Sequence, residues 1–369
     1  MRIITSSTHL YECLETVEKA LPLRSTIPVI SNILLYVKSD QLIFSSTNLE
    51  MTITSFLKQP CDTEGCILLP PKIVEIMRYF PTDEVTLDIN WENYRLDITG
   101  GSARFHLYGS DPQDYPQLNF EAKQPSEGFE IEQNAFKKIL KSVVFAASSE
   151  ETRPAFNGIL FSYDGNQLTL TASDTYRLVI KVLKDEKWNF SQKKCLIPAK
   201  VLRELLKILG DNKNTVEIGS INNTLQFNFN EINFTSRLLD EKYPEVSGVI
   251  PREYRTRIVI DRQSLENTVS RASLLTEGKN QAVNIIIGKG KLEARVSSQE
   301  GSMEEIIPIE QEGEDIELHV NTRFVLDILK IIEVQKIIID FHGDGGPLIF
   351  RLIDDNSYLY LVLPIKKVN

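Results

Sequence analysis

The sequence predicts an α+β protein of three similar units in tandem, each with two helices packed on antiparallel sheets. Three observations predict this fold class. A hairpin-like pattern occurs three times at nearly constant spacing, a segment with helical periodicity precedes each copy, and alternating strand patterns close each unit. Self-similarity at a fixed period indicates a repeated architecture, and 369 residues suffice for two or three domains. We therefore expect three units of about 120–125 residues.

The hairpin pattern is the clearest repeat. Residues 31–42 align without a gap with residues 157–168, which lie 126 positions later, and residues 283–292 repeat the pattern about 124 positions further on. In each copy an apolar run breaks at a few small or polar residues and then resumes, which is typical of two strands joined by a turn. Three similar units favour a quasi-symmetric assembly over three unrelated activities.

Helical periodicity marks two further segments of every unit. Apolar side chains recur three or four residues apart in the first helices, which we predict over residues 9–20, 134–144 and 263–272. The second helices are predicted over residues 71–78, 199–209 and 321–331, where a proline or a capping Asn321 begins the helix. Strand patterns close the units at residues 95–107, 225–238 and 348–363. The predicted domains are 1–125, 126–252 and 253–369.

Composition argues against several classes of protein. Apolar residues make up 42% and charged residues 25% of the chain, which is ordinary globular composition. The N-terminus lacks the apolar stretch of a signal peptide, and no apolar run approaches the roughly 18 residues of a membrane helix. Four cysteines without a CxxC pair argue against a disulfide framework or a zinc site. We therefore expect a cytoplasmic protein without a membrane partner.

No recognised catalytic or metal-binding motif is present in the sequence. The four histidines share no metal-ligand spacing with each other or with cysteines, and neither a nucleophile elbow nor a phosphate-binding glycine loop occurs. Glycines at residues 288–290 and 343–346 indicate turns, and the acidic run at residues 310–315 indicates a solvated loop rather than a calcium site. We expect no enzymatic activity, no cofactor and no metal; a hydrolase with an unrecognised motif is one alternative.

Positive charge is unevenly distributed along the chain. The net charge of −10, from 41 basic and 51 acidic residues, separates into +6 on the six helical segments counted with their flanking residues and −16 elsewhere; the segments counted are 9–24, 71–78, 134–141, 199–209, 261–272 and 321–331. Lys200, Arg203 and Lys207 lie on one helical stripe, and leucines occupy the opposite stripe. Such a helix has two interpretations, an ordinary solvated face or part of a basic surface that attracts a polyanion. The first helices of units one and three fit the second interpretation poorly.

Six short motifs, in order along the chain, resemble those of one protein family. They are TIPVISNIL at residues 26–34, TNLEM at 47–51, ETRPAFNG at 151–158, ASDTYRL at 172–178, FTSRL at 234–238 and YLVLPI at 360–365. With the length, the three repeats and the acidic balance, the chain resembles the bacterial DNA polymerase III beta subunit, or sliding clamp, over essentially its whole length. The resemblance implies the DNA-clamp fold and a head-to-tail homodimeric ring.

The resemblance also implies a set of partners. They would be duplex DNA encircled without sequence readout, a second copy of the chain, and the replicative DNA polymerase, clamp loader and repair proteins that carry short linear motifs. Weak phosphate attraction suits such a ring because tight contacts would stall its sliding. An acidic repeat scaffold that binds only proteins is the second alternative.

Residue-by-residue correspondence with the family implies three sets of site residues. The DNA-facing set consists of Arg24, Lys72, Arg78, Lys137, Lys138, Lys141, Arg153, Lys200, Arg203 and Lys207. The partner-peptide groove between units two and three consists of Phe156, Thr175, Tyr176, Arg177, Leu178, Pro244, Val249, Asn321, Phe324, Leu361, Val362, Leu363, Pro364 and Ile365. The dimer interface pairs Phe105 and Leu107 with Leu274 and Leu275. The chain departs from the family pattern at Pro154, Ala155, Thr175 and Gly248.

Overall fold

The computed structural model describes residues 1–117, 128–150, 152–185, 193–221, 223–276, 281–343 and 345–365. Six α-helices and 25 β-strands lie within these residues, and the strands form antiparallel sheets. No described helix is long and apolar enough to cross a membrane. The boundary expected at residue 125 falls outside the described residues.

The first repeat contains two helices and eight strands. They are β1 (Arg2–Ser6), α1 (Ser7–Glu18), β2 (Ile33–Lys38), β3 (Gln41–Thr47), β4 (Met51–Lys58), β5 (Gly65–Leu69), α2 (Lys72–Arg78), β6 (Glu84–Asn90), β7 (Arg95–Gly100) and β8 (Ala103–Tyr108). α1 buries Leu10, Leu14 and Val17 on one face, as its periodicity predicts.

The middle repeat follows the same order of elements. They are β9 (Gly128–Glu132), α3 (Gln133–Val144), β10 (Gly158–Tyr163), β11 (Gln167–Ser173), β12 (Arg177–Lys184), β13 (Lys194–Pro198), α4 (Ala199–Ile208), β14 (Thr215–Ile221), β15 (Thr224–Phe229) and β16 (Ile232–Arg237). Leu202, Leu205 and Leu209 are buried, so the leucine stripe of α4 faces the core and its basic stripe faces away from it.

The last repeat adds one strand to this order. Its elements are β17 (Thr256–Asp261), α5 (Arg262–Ser273), β18 (Ala282–Gly288), β19 (Lys291–Ser297), β20 (Ser302–Pro308), β21 (Glu310–Gly313), β22 (Ile316–Asn321), α6 (Thr322–Leu329), β23 (Lys336–Phe341), β24 (Leu348–Leu352) and β25 (Asp355–Val362). The prediction of a solvated loop over the acidic run was wrong, because this run forms β21, which pairs with β17. An edge strand needs a backbone partner on one side only, so its charged side chains stay in water.

The predicted helices and hairpins are confirmed. Each helix begins and ends within two residues of the predicted limits. The hairpins are β2–β3, β10–β11 and β18–β19. In the last hairpin the turn residues Lys289 and Gly290 have φ of 52° and 73°, the left-handed conformation that two-residue turns require and that glycine adopts without strain.

The described residues fall into two compact units, called unit 1 and unit 2 from here on, whose limits differ from those of the three sequence repeats. Unit 1 comprises those of Met1–Phe136 and Lys200–Leu238, and unit 2 those of Lys137–Glu186, Lys193–Ala199 and Leu239–Asn369. Unit 1 holds two sheets with the strand orders β1-β6-β7-β8 and β5-β2-β3-β4-β16-β15-β14-β9. Unit 2 holds two sheets with the orders β13-β10-β11-β12-β25-β24-β23-β17-β21 and β20-β19-β18-β22.

Each long sheet contains a seam at which strands of two different repeats pair. In unit 1, β4 pairs with β16 and Met51 lies opposite Ser236. In unit 2, β12 pairs with β25 and Arg177 lies opposite Val362. Both seams join the strand that follows a repeat's hairpin to the last strand of the next repeat. The four-stranded sheets end on strands of these same two kinds, β8 and β20, each with one neighbour among the described strands.

Candidate functional site

A buried arginine lies on the helix side of the unit 2 seam. Arg177 is 5% exposed. Its Nε donates to Asp174 at 2.8 Å, its Nη1 to Asp327 of α6 at 2.5 Å and its Nη2 to the Phe145 carbonyl at 2.8 Å. These bonds use all three nitrogens of the guanidinium and connect the turn before β12, the end of α3 and α6.

Aromatic rings enclose the same guanidinium. It lies over Phe324 and Phe145, 4.6 Å and 5.3 Å from the ring centroids, at distances suited to a cation–π contact. Burial alone would lower the pKa of Arg177, but the Tyr360 hydroxyl and the two aspartates raise it, so the side chain keeps its charge. This side of the seam is therefore a closed, hydrogen-bonded cluster rather than an open binding surface.

The opposite face of the seam is apolar. Leu178, Leu361 and Ile349 form a cluster with exposures of 0–3%, and the register places them in one row across β12, β25 and β24. Val246 and Ile250 pack against this row. Successive strand residues point to opposite faces, so Arg177 and Leu178 point to opposite sides of the sheet. We call this row, with its two covering residues, the apolar strip.

The structure divides the predicted groove residues between these two faces. Leu178 and Leu361 belong to the apolar strip, and Val249, 57% exposed, lies in the segment that covers it. Arg177 and Phe324 belong to the helix side. Val362 lies there too, because it is two residues after Tyr360, whose hydroxyl donates to the Phe324 carbonyl in α6.

The remaining predicted groove residues have local structural roles or are exposed. Phe156 packs against Tyr243 with ring centroids 5.7 Å apart, and Asn321 caps α6 by accepting from the Arg323 N–H. Thr175 has a φ of 78° in the turn before β12. The others are Tyr176 and Leu363, which are exposed at 60% and 40% and joined by a backbone hydrogen bond, the exposed Pro244, and the half-buried Pro364 and Ile365.

Sequence reasoning missed five residues of this surface. Ile349 is a member of the strip, and Ile180, Val246, Ile250 and Leu359 pack against it. The alternation of leucines at 359, 361 and 363 could have shown that one face of β25 is apolar on the side away from the helices. The covering residues lie in a segment without periodicity, so no local pattern indicates their position.

The corresponding face of the unit 1 seam is polar. Its outward residues are Thr52, Thr54, Asn233 and Thr235, and they hold the register positions that leucines and an isoleucine hold in unit 2. The Thr235 hydroxyl donates to Asn233 at 3.1 Å. The two seams share a backbone arrangement but differ in surface chemistry, and of the two only the unit 2 seam carries an apolar strip.

Four basic side chains of the DNA-facing set in unit 1 have acidic or phenolic neighbours. Arg78 donates to the Tyr11 hydroxyl at 3.0 Å and lies 4.0 Å from Glu15. Three lysines each pair with one carboxylate: Lys200 with Glu50 at 2.6 Å, Lys207 with Glu204 at 2.8 Å, and Lys72 with Glu75. The hydrogen bond from Lys72 lowers the pKa of Glu75. Arg24 is exposed and Arg203 is half-buried.

The predicted basic residues of unit 2 lie on α3 and on the segment that follows it. Lys138 is 3.6 Å from Glu333, Lys141 and Arg153 are exposed, and Lys137 is half-buried. Among the six helices, α3 and α4 carry net charges of +3 and +2, whereas α1 carries a net charge of −3. The six helices total +4 rather than the predicted +6.

The helix charge falls because the observed helix limits differ from the predicted ones. Three basic residues lie outside the helices, because α1 ends before Lys19 and Arg24 and α6 ends before Lys330, and one acidic residue partly offsets this loss, because α5 begins after Asp261. The positive helical charge is therefore concentrated in the middle repeat, which sharpens the unevenness seen in the sequence.

The predicted dimer-interface residues lie at or beside the open sheet edges. Phe105 and Leu107 are on β8; Phe105 is 37% exposed and contacts Phe80 with centroids 6.4 Å apart. Leu274, at the end of α5, is 78% exposed. α5 packs on the helix side of β20, where the Thr268 hydroxyl donates to Glu305 at 2.8 Å.

The thiols and the acidic groups show no arrangement for catalysis among the described residues. No cluster of three metal-ligating side chains occurs in that part of the chain. Burial raises the pKa of Cys66 to about 11 and that of Cys195 to about 12, so these thiols are protonated at neutral pH and are weak nucleophiles.

Comparison with known proteins gives the family. The DNA polymerase III beta subunit N-terminal, central and C-terminal domain models match residues 1–119, 130–245 and 247–366. The beta sliding clamp of Staphylococcus epidermidis is 31% identical over 362 residues, 94% of each chain. The crystal structure of the Bacillus subtilis DNA polymerase sliding clamp is 29% identical, covers 100% of this chain and 99% of that chain, and has a TM-score of 0.93.

Three repeats of two helices and antiparallel strands, joined at shared seams, define the DNA-clamp class of fold. The resemblance drawn from the sequence motifs is confirmed: the chain belongs to the DNA polymerase III beta subunit family, the beta sliding clamps. Its function is that of a DNA sliding clamp, a processivity factor of replication.

Proposed function

We propose that two copies of this chain close head to tail into a ring that encircles duplex DNA and tethers a DNA polymerase, acting through topology without a chemical step. The open edges of β8 and β20 carry the proposal. They are the same two kinds of strand that pair at the seams, so pairing β8 of each copy with β20 of the other would complete two more seams. Unpaired edge strands favour such pairing, and head-to-tail contacts close when the rotation allows.

The seams inside the chain supply the register for this pairing. If the register of β4 and β16 also holds at the open edges, Phe105 would lie opposite Met303 of the partner subunit. Phe105 would then occupy the position that Phe234 and Tyr360, which are fully buried, occupy at the two existing seams. Of these three aromatic residues, Phe105 lies on an open edge and is partly exposed, whereas the other two are buried at paired strands. This difference supports the proposal that the dimer buries Phe105.

The leucines that follow α5 extend this interface. α5 lies behind β20, where Arg271 donates to Glu305 at 2.8 Å, and Leu274 is left 78% exposed just beyond the helix. Phe105 and Leu107 on the helix side of β8 would cover this leucine when the edges pair. Burial of apolar surface then stabilises a pairing that backbone hydrogen bonds align.

We infer that the ten basic residues predicted from the family face DNA inside this ring. The charge of +5 on α3 and α4, in a protein with a net charge of −10, supports this assignment. Contacts of lysine and arginine with phosphates attract any DNA sequence equally. A duplex can therefore move through the ring while the ring remains linked to it.

We infer that short partner peptides dock at the apolar strip of unit 2. Aliphatic and aromatic anchors of a peptide gain most from desolvated apolar pockets at the centre of an interface. Leu178 and Leu361 are buried beneath Val246 and Ile250, and the exposed Val249 and Leu363 beside them are the apolar side chains open to a peptide. The polar residues at the matching positions of the unit 1 seam support one such site per chain.

Topological retention on DNA tests the ring. We expect a native mass near 84 kDa, twice the 42.0 kDa of the chain. Clamp loaded on nicked circular DNA should remain bound, and linearising the DNA should release it from the ends. Retention on linear DNA with unblocked ends would contradict the ring.

Replacing basic residues separates the ring from a scaffold that binds only proteins. We expect alanine at Lys137, Lys138, Lys141, Lys200, Arg203 and Lys207 together to abolish DNA-dependent replication while leaving the native mass unchanged. Undiminished replication by this variant would favour the scaffold.

Substitution of an exposed leucine tests the peptide site. We expect Leu363→Ser to weaken binding of the replicative DNA polymerase of the source bacterium at least tenfold, as measured by surface plasmon resonance, because it removes an apolar anchor. Ile353→Ser is the control, since Ile353 is similarly exposed at 38% but lies in the turn between β24 and β25. Equal affinities of the two variants would count against the apolar strip.

A further inference from the structure

Three lysines of the proposed DNA-facing set already have a carboxylate partner inside unit 1. The side chains of these lysines are 60–66% exposed, so a phosphate could reach each of them. Their partners belong to α2, to α4 and to the turn between β3 and β4. The pairs are Lys72–Glu75, Lys207–Glu204 and Lys200–Glu50.

The Lys200–Glu50 pair is not a consequence of helical spacing. Glu50 is 150 positions away from Lys200 and reaches it from a turn in which Leu49 has a φ of 73°. The pair joins the first repeat to the start of α4 at 2.6 Å. The folded backbone therefore brings a negative charge to the basic stripe of α4, which lies opposite the buried leucines of that helix.

An exposed ion pair reduces the net attraction between a lysine and the DNA backbone. Exposed pairs are weak and exchange readily, so a phosphate can displace the carboxylate. The displaced carboxylate then stands unpaired beside a polyanion. The net attraction between DNA and that lysine is therefore smaller than for an unpaired lysine. The number of counterions released on binding is also smaller than a count of the lysines would indicate.

We propose that Glu50, Glu75 and Glu204 act as built-in counter-ions that hold the DNA affinity of the clamp low and keep the ring mobile on the duplex. The proposal rests on the proposed function, since it needs DNA to pass along these lysines. It assigns a role to acidic residues on a surface where the family resemblance implied only basic ones.

Charge-neutral substitutions test this role. We expect the triple variant Glu50→Gln, Glu75→Gln and Glu204→Gln to diffuse along DNA about fivefold or more slowly than the unsubstituted clamp in single-molecule tracking at 50 mM KCl, and to leave linearised DNA more slowly. In a plot of the logarithm of the release rate against the logarithm of the salt concentration, the slope should steepen by about 0.9 for each added phosphate contact. Glu204→Gln alone should show the same effects in smaller measure.

A matched control separates local pairing from total charge. Glu130→Gln, Glu132→Gln and Glu217→Gln change the net charge equally, on β9 and β14 of the same unit; Glu130 lies opposite Glu217, and the neighbouring Phe129 and Val216 face the core. This variant should diffuse like the unsubstituted clamp. Equal diffusion of the two triple variants, at unchanged native mass, overturns the proposal. Failure of the ring itself would differ, because the unsubstituted clamp would then be lost from circular DNA.

Discussion

Arg177 joins three elements of unit 2 through one side chain. Its guanidinium bonds to Asp174, Asp327 and the Phe145 carbonyl, while the next residue, Leu178, belongs to the apolar strip. A buried charge is tolerated only when partners replace its lost hydration. The arginine therefore acts on the proposed peptide site by positioning its strands, from the opposite side of the sheet.

Removing this charge should unfold unit 2 more readily. We expect Arg177→Met to lower the free energy of unfolding by about 3–5 kcal/mol, because it leaves two carboxylates without their buried partner. Urea titration followed by circular dichroism measures the change. The control is Arg323→Met, because Arg323 lies 4.0 Å from the same Asp327 but is 69% exposed; its effect should stay within about 0.5 kcal/mol. Similar losses for both variants would contradict the account.

At the level of elements, the same junction recurs between strand and helix. The last residue of β1, β17 and β22 caps the helix that follows, through Ser6, Asp261 and Asn321. In each case the cap keeps extended backbone angles and its side chain accepts from a backbone N–H of the first turn. Local sequence is enough to form this junction, and that is why the helix limits could be predicted so closely.

The cap of α5 should make stability depend on pH. The Ser264 hydroxyl and N–H lower the pKa of Asp261. A carboxylate with a lowered folded-state pKa contributes its full stability above its unfolded pKa of about 3.9, and loses it as the pH falls through the folded value. We expect Asp261→Ala to cost about 0.5–2 kcal/mol at pH 7 and progressively less below pH 4.

Two further variants identify the cause of this dependence. Asp261→Asn keeps a capping oxygen without the titrating charge, so its stability relative to the unsubstituted protein should rise as the pH falls. Ser6→Ala removes an uncharged cap, and its cost should stay constant between pH 3 and pH 7 in thermal unfolding. A pH-independent cost for Asp261→Ala would contradict the assignment.

Across the whole molecule, the same kind of strand pairing recurs at the seams, but the side chains on the outward face differ. The two seams within the chain present threonines and asparagine in unit 1 and leucines and isoleucine in unit 2. The seam proposed between subunits would present charged residues, because Arg104 and His106 alternate with the interface residues of β8, and Ser302 and Glu304 do so on β20. These differences support the proposal that one seam binds partner peptides and that another forms between two copies.

A charge exchange tests the register between subunits. In the proposed dimer, the register of the existing seams would place Arg104 opposite Glu304 of the partner subunit. Arg104→Glu and Glu304→Arg should each weaken the dimer, and the double variant should recover at least about 1 kcal/mol of the summed loss. Sedimentation equilibrium measures the dimer constants. Glu317→Arg, on β22 away from the edge, should not rescue Arg104→Glu; equal rescue by it would contradict the register.

Much of the fold and part of the site could be predicted from sequence. Helical periodicity, hairpin turns and caps depend on residues a few positions apart, so the six helices and three hairpins were predicted closely. The acidic strand β21 was missed because edge pairing depends on β17, about fifty positions earlier. The groove list mixed two faces because the family correspondence does not give the side to which each residue points.

The sequence by itself determined the repeat, the order of elements and the family, because these depend on local patterns and on motifs in a fixed order. Only the tertiary structure decided that Arg177 is buried while Leu178 lies in the apolar strip, and that Glu50 meets Lys200 across 150 positions. The physical reason is that strand pairing and ion pairing join residues distant in the chain. Their register is set by backbone hydrogen bonds and shared burial, which no local pattern records.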